Sequence, residues 1–379
     1  MPAAAVAASA LLVAATLSAC GRSTHAVQPP PTSGVATTSA GRTTASTAGP
    51  SSTAGVPSTT VSSVTTQPVA RQSKATRMLS WAVAASLNEA VGQADAYGGQ
   101  TAVATWVDDD PAPALAGDAQ RTMRMWSVSK AVVAVAAWTA AGPSGSLALR
   151  QATSAALTAS DNCAMRRMTL LLQESVHGLD AAQTAIEETL ARAGVTMAAP
   201  PQRGDVSADP QCRHILAMDS TGLAQPLAPA LLMGVAQWTV ADAARFAHAL
   251  GTGAYGPAGD TVRDLMRRPK EHPITFHAGD YTSSLMDPPS SGRFPLAWSA
   301  AYKGGWGGHN ESPPGFLASE IAILSVHGHT VVVAASFRPS VQPPSDDPGS
   351  TKAPLALGTV FSTIEGSIRA ALPEARADR

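Results

Sequence analysis

With 379 residues, 45% of them hydrophobic but only 4% aromatic, the chain has room for one large Ala-rich core and additional segments. Its 26 basic and 27 acidic residues leave a formal charge of −1, so there is no one-signed field for a nucleic-acid partner. The three cysteines, Cys20, Cys163 and Cys212, lack the spacing of a zinc or dithiol site.

The first twenty residues, MPAAAVAASALLVAATLSAC, form an apolar run that ends on small residues. Such a run reads as a secretory signal and is short for a membrane span, although no positive charge follows Met1. Its end, Leu17-Ser18-Ala19-Cys20, resembles a bacterial lipobox, whose cysteine is lipidated after cleavage; an ordinary signal peptide with an incidental Cys20 is the alternative. Export and a lipid anchor at Cys20, on the outer face of the cell membrane, are the expectation. Residues 21–75 are rich in Ser, Thr, Ala, Pro and Gly. They have too little apolar surface to offset their ordering entropy and read as a flexible tether.

The folded domain is expected over residues 76–379, its first helix starting near Arg77 with RMLSWAVAASLNEAVGQA. GGQTAVATWVDDDP reads as a strand closed by an acidic, Pro-terminated turn. Helical stretches follow, among them LDAAQTAIEETLARAGV, with Asp180 as its candidate cap and Gly194 as its stop. Residues 196–236 are irregular, and TVADAARFAHALG is helical with Thr239 as N-cap. LAWSAAYKGG, LASEIAILSV and TVVVAASF read as three successive strands, and PLALGTVFSTIEGSIRAAL as a final helix. This order predicts an α/β domain with a helical insertion.

Only five of the 26 basic residues are lysine: Lys74, Lys130, Lys270, Lys303 and Lys352. Lysine cannot be replaced by arginine where chemistry needs a neutral amine, because a guanidinium stays protonated. Lys130 stands in RMWSVSKAVVAVAAW, three residues after Ser127 and in front of an almost purely apolar run. A helix starting there puts both side chains on one face and offers unpaired N–H groups to a developing oxyanion. The apolar body behind desolvates the amine, which lowers its pKa and makes it a base for the serine hydroxyl. A capping serine beside a snorkelling lysine is the competing reading. Ser160-Asp161-Asn162 precedes a second apolar helix in a chain with only three asparagines. A plain helix cap would account for its Ser and Asp. Lys303-Gly304-Gly305 ends a predicted strand before Trp306, where the alternative is a Gly-rich turn with one exposed lysine.

In this order and context the three motifs resemble the signature of the serine β-lactamases and penicillin-binding DD-peptidases: Ser-x-x-Lys, Ser-Asp-Asn, Lys-Thr-Gly. The resemblance covers roughly residues 77–372. It implies an antiparallel sheet flanked by helices with an all-helical subdomain, a monomer, and no cofactor. It makes Ser127 the acylated nucleophile and Lys130 its general base. Ser160 would relay a proton to the leaving nitrogen, Asn162 would bind the substrate's amide side chain, and Lys303 would add positive charge beside Ser160. Backbone N–H groups of Ser127 and Trp306, beside Gly305, would form the oxyanion hole. The implied substrate is a β-lactam or a D-Ala-D-Ala-like peptidoglycan stem peptide.

Three departures bear on mechanism. Class A enzymes of this family break the acyl-enzyme with a water activated by a loop glutamate, whereas residues 196–236 hold only Asp205, Asp209 and Asp219. Gly304 replaces the motif threonine, and no arginine follows Lys303 until Arg338. Acylation machinery is thus expected intact and deacylation impaired; a catalytically weak or inactive cell-envelope binding lipoprotein of the same fold is the alternative. In the family the loop packs close to the Ser-Asp-Asn segment, and a lipidated Cys20 leaves an even pair in an oxidising compartment. A Cys163–Cys212 disulfide is therefore expected, with two separate buried thiols as the alternative. His327 and His329 would share one strand face, but no third ligand is evident, and no metal site is expected.

Overall fold

The structure is a computed structural model that describes residues 72–143, 145–205, 229–267, 298–307, 317–341 and 352–376. By its internal contacts the chain divides into Met1–Gln67 and Pro68–Arg379, and every described residue belongs to the second unit. The signal segment with Cys20, the tether as far as Arg71, and Cys212, Asp209 and Asp219 lie outside the described residues.

Five strands make the central sheet: β1 (Gly99–Val107), β2 (Ala114–Gly117), β7 (Ser299–Gly307), β8 (Leu317–Val326) and β9 (His329–Pro339). Their order is β2-β1-β9-β8-β7, antiparallel throughout. Four two-to-four-residue strands lie outside it: β3 (Met123–Arg124), which pairs with β6 (Gln237–Trp238), and β4 (Gln202–Asp205), which pairs with β5 (Pro229–Leu232). β8 and β9 are covered on both faces, which is why they read as continuous apolar runs. Alternation still sorts their side chains. Ala322, Leu324, Val333, Ala335 and Phe337 join one core cluster, while Ile321, Ile323, Val332 and Ala334 join the other.

On the first face lie α1 (Lys74–Asp95) and α8 (Ala353–Ala371), the terminal helices of the domain. Leu79, Val83 and Leu87 recur at helical spacing on α1, and Leu357, Val360, Phe361, Ile364 and Ile368 do so on α8. α1 begins at Lys74 with Ser73 as N-cap, its Oγ accepting from the Thr76 N–H, three residues before the predicted start. The second face carries α2 (Ser129–Ala141), α3 (Leu147–Thr158), α4 (Asn162–Ser175), α5 (Leu179–Arg192), α6 (Val240–Gly251) and α7 (Gly256–Arg267). The observed architecture is thus an antiparallel sheet flanked by helices, with a mainly helical subdomain between its first two and last three strands.

α2 is buried at every position from Ser129 to Trp138, as a helix apolar all round must be. Its Ala and Val side chains let α4, α5 and α7 approach closely. Thr239 caps α6 as predicted, in a capping box with Asp242. The expectation for α5 was different. Gly178 occupies the N-cap, and Asp180 lies in the first turn, where it pairs with Arg203 at 2.5 Å. The φ of +150° at Gly178 is reached without a Cβ penalty, and it sets the N-cap two residues before Asp180. Gly194, at φ +71°, follows the C-terminal end as expected.

Candidate active site

The three motifs meet where β7 passes the start of α2 and the start of α4. Ser127 lies in a single 3-10 turn, Trp126–Val128, and the α-helix starts only at Ser129. The predicted helix therefore begins two residues late, for a backbone reason. Trp126 has φ +45°, a conformation that a bulky residue rarely adopts, and no helix propagates through it. The turn is closed by the Val128 N–H on Met125 O at 3.1 Å and by Ser129 Oγ on Trp126 O at 2.5 Å.

β7 braces this turn from the other side. Alternation along the strand turns Lys303, Gly305 and Gly307 toward it, while Tyr302 and Trp306 pack with the α1–α8 cluster. A Cβ at Gly305 would come within 2.6 Å of Ser127 N and 2.9 Å of Val128 N; one at Gly307 would meet the Trp126 ring at 2.7 Å. Both glycines are there for close approach. β7 is also the sheet's edge strand, so its outer backbone groups are not used by a neighbouring strand. The two expected oxyanion donors, Ser127 and Trp306, thus belong to segments in direct contact.

Lys130 stands in the first turn of α2 and is only 2% exposed. Its Nζ lies 2.7 Å from Ser127 Oγ, 2.8 Å from Ser160 O, 2.8 Å from Asn162 Oδ1 and 3.2 Å from Ser160 Oγ. Burial is the main cause that lowers its pKa to about 6; Lys303 lowers it further and Asp161 opposes. A neutral amine has two N–H groups and one lone pair. The two carbonyl oxygens, of Ser160 and Asn162, can only accept, so they take the N–H groups. The lone pair is left for a hydroxyl, with Ser127 Oγ at 2.7 Å nearer than Ser160 Oγ at 3.2 Å.

Ser160 itself sits at φ +53°, two residues before α4 begins, and this conformation aims both its carbonyl and its hydroxyl at lysines. Asp161 is the helix N-cap, accepting from the Ala164 N–H at 2.9 Å, and Asn162 is the first helical residue. The capping reading of Ser-Asp-Asn therefore holds for Asp161 alone. Lys303, also 2% exposed, donates to Ser160 Oγ at 2.9 Å and to Gly304 O at 2.8 Å. Ser127, Lys130, Ser160, Asn162 and Lys303 form one connected constellation. Trp126, the brace before the nucleophile, was not read from the sequence; the signal available was the alternate glycines at 305 and 307 facing one side of a strand.

Other sequence expectations fall elsewhere. Within the described parts of 196–236, the one carboxylate is Asp205, at the end of β4. Cys163 is disulfide-bonded; Cys212, its expected partner, lies outside the described residues. His327 and His329 do not share a strand face. His327 sits at φ +47° in the turn between β8 and β9, and His329 Nδ1 bonds Asp108 Oδ2 at 2.6 Å. A tight hairpin wins over continued alternation there because Gly328 supplies a second positive φ, +82°. Among the described residues no three His, Cys, Asp or Glu side chains converge as metal ligands.

No protein-family model matches this sequence, and no curated protein matches it significantly. Solved structures similar to it include a class A β-lactamase from Mycobacterium abscessus, 16% identical, covering 74% of this chain and 97% of that one, with TM-score 0.46. The chromosome-encoded β-lactamase of Vibrio parahaemolyticus is 14% identical, with 76% and 98% covered and TM-score 0.46. A β-lactamase from Streptosporangium roseum is 12% identical, with 76% and 100% covered and TM-score 0.47.

Proposed function

We propose that this chain is an exported, lipid-anchored serine acyl-hydrolase of the β-lactamase/DD-peptidase type, acylated at Ser127 and slow to deacylate. One observation carries the reading: a buried lysine whose Nζ lies 2.7 Å from the hydroxyl of Ser127, with burial lowering its pKa to about 6. A solvated lysine would be protonated and no base. In the first half-reaction Ser127 Oγ attacks the substrate's acyl carbon while its proton moves to Lys130 Nζ. The developing oxyanion is met by backbone N–H groups of Ser127 and Trp306. The proton then passes to Ser160 Oγ, 3.2 Å from Lys130 Nζ, and from there to the leaving nitrogen. Lys303, bonded to the same hydroxyl, favours the oxygen in its proton-poor form.

The second half-reaction needs a water and a base beyond these groups. Residues 196–236 contain no glutamate, and Gly304 offers no hydroxyl to a substrate carboxylate. These two features support slow turnover, and they also favour the second reading, an envelope-binding lipoprotein with vestigial chemistry. Intact-protein mass after incubation with a penicillin separates the readings. The acyl-hydrolase gives a long-lived mass increment that is absent in Ser127→Ala; an inert binding protein gives none. Rapid multiple turnover would overturn the slow-deacylation part. Anchoring through Cys20 is checked by Cys20→Ala, which releases the protein from the membrane fraction.

A further inference from the structure

We propose that the open end of the sheet beside β2 holds a second ligand site, in which Arg121 and Arg338 bind a small carboxylate with an apolar body. The site is independent of Ser127 and does not rest on the acylation reading. Its origin is the early end of β2. Gly117 has φ +63°, and a Cβ there would meet Thr101 O at 2.1 Å, so the chain leaves the sheet and uncovers the first residues of β1. A cavity of about 260 Å³ opens at this place, lined among others by Met123, Leu317, Ser336, Arg121 and Arg338.

Register puts the polar groups on one face. Ala102 pairs with Ser336 and Gln100 pairs with Arg338, so Ser336 and Arg338 project to the same side of adjacent positions. Arg121 reaches the same row, its Nη1 donating to Gln100 Oε1 at 3.0 Å. Burial, and next the Arg121 charge, pull Arg338 below the ordinary arginine range, so the two guanidinium groups feel each other. Neither has a carboxylate partner among the described residues. Arg338 Nε is buried and has no hydrogen-bond partner among the described residues.

Two like charges held together, one with a buried unpaired donor, are costly unless an anion joins them. Water would satisfy the Nε–H but would leave the repulsion in place. A carboxylate answers both demands, and a guanidinium fork matches its two oxygens. The acids in the lining set an upper limit on ligand charge. Asp95 accepts the Thr101 N–H at 2.6 Å, and Asp118 stands at the turn whose carbonyl accepts from the Arg121 N–H. They disfavour a polyanion. The cavity is below the usual size of a drug-like site, and Met123, Leu317 and Ala102 offer apolar walls. A monocarboxylate with a few carbons, free or as the end of a larger molecule, fits these limits.

The test is calorimetric titration of the exported chain with butanoate, with inorganic phosphate, and with chloride at matched ionic strength. Saturable butanoate binding is expected, weakened at least tenfold in Arg121→Ala and in Arg338→Lys, and unchanged in the remote Arg150→Ala. Arg121 is exposed, so its variant keeps the fold even if changes at Arg338 do not. Phosphate binding in place of butanoate, lost in the same two variants, would support the oxyanion pocket but assign it to phosphate esters. Binding no stronger than chloride, or binding untouched by Arg121→Ala, would overturn the site.

Discussion

Lys130 carries a charge-bearing group into a core where only 2% of it meets solvent, and that position makes a sharp pH prediction. With its pKa at about 6, the base is protonated below that value and free above it. Acylation of Ser127 by a penicillin should rise through an apparent pKa near 6 and then level off. Lys303 is the second cause of the depression, so Lys303→Ala should move the ascending limb to higher pH as well as slow the reaction. Lys130→Arg should abolish acylation, by at least ~10²-fold as for loss of general-base catalysis, although the charge is kept. An acylation rate flat from pH 5 to 8, or an active arginine variant, would remove the base role. Stability carries the same sign. Between about 6 and the ordinary lysine value of 10.5 the unfolded chain binds the proton that the native chain has lost. Stability against denaturant should therefore gain a rising contribution with pH across that window, and Lys130→Met should remove it.

At the scale of elements, the site depends on how closely an edge strand can lie against a turn. Gly305→Ala inserts a Cβ 2.6 Å from Ser127 N, a backbone atom that cannot rotate away. β7 or the 3-10 turn must shift, and a displacement of about 1 Å at the nucleophile can cost ~10²-fold in rate. Acylation kinetics measure it. Gly366→Ala is the control: in the exposed interior of α8 nothing lies within 4 Å of the added methyl. That change should raise stability by about 0.5–1 kcal/mol, read by urea unfolding, and leave acylation alone.

The same elements show what the sequence could and could not reveal. β8 was legible because Leu317–Val326 is an apolar run that follows Pro313-Pro314-Gly315 closely and is closed by a His-Gly turn. Thr239 was legible because a capping box is a local pattern. The Ser127–Lys130 pairing was legible because three residues is close to one helical turn. The positive φ at Trp126 and Ser160 was not, since those conformations are imposed by contacts with β7 and α2 across long stretches of chain. The start of α5 was missed because a glycine outside the helix competed with an aspartate inside it.

For the molecule as a whole, the constellation joins three parts of the chain that local structure alone does not hold together: the turn and first residues of α2 bring Ser127 and Lys130, the entry to α4 brings Ser160 and Asn162, and β7 brings Lys303. Cys163 follows Asn162 directly and is disulfide-bonded. We propose Cys212 as its partner, because Cys20 is the candidate lipidation site and the chain has only these three cysteines. The bridge would close a loop of about 50 residues and contribute on the order of 2–4 kcal/mol by restricting the unfolded chain. It would also tie residues 196–236, which contain no glutamate, to the helix that carries Asn162. Peptide mapping without reduction should return a single cross-linked Cys163–Cys212 peptide. Cys163→Ser and Cys212→Ser should each lower the unfolding free energy by the same amount, and the double variant by no more than either alone, because a shared bond can be lost only once. Additive losses, or two thiols open to alkylation in the unreduced protein, would rule the pairing out.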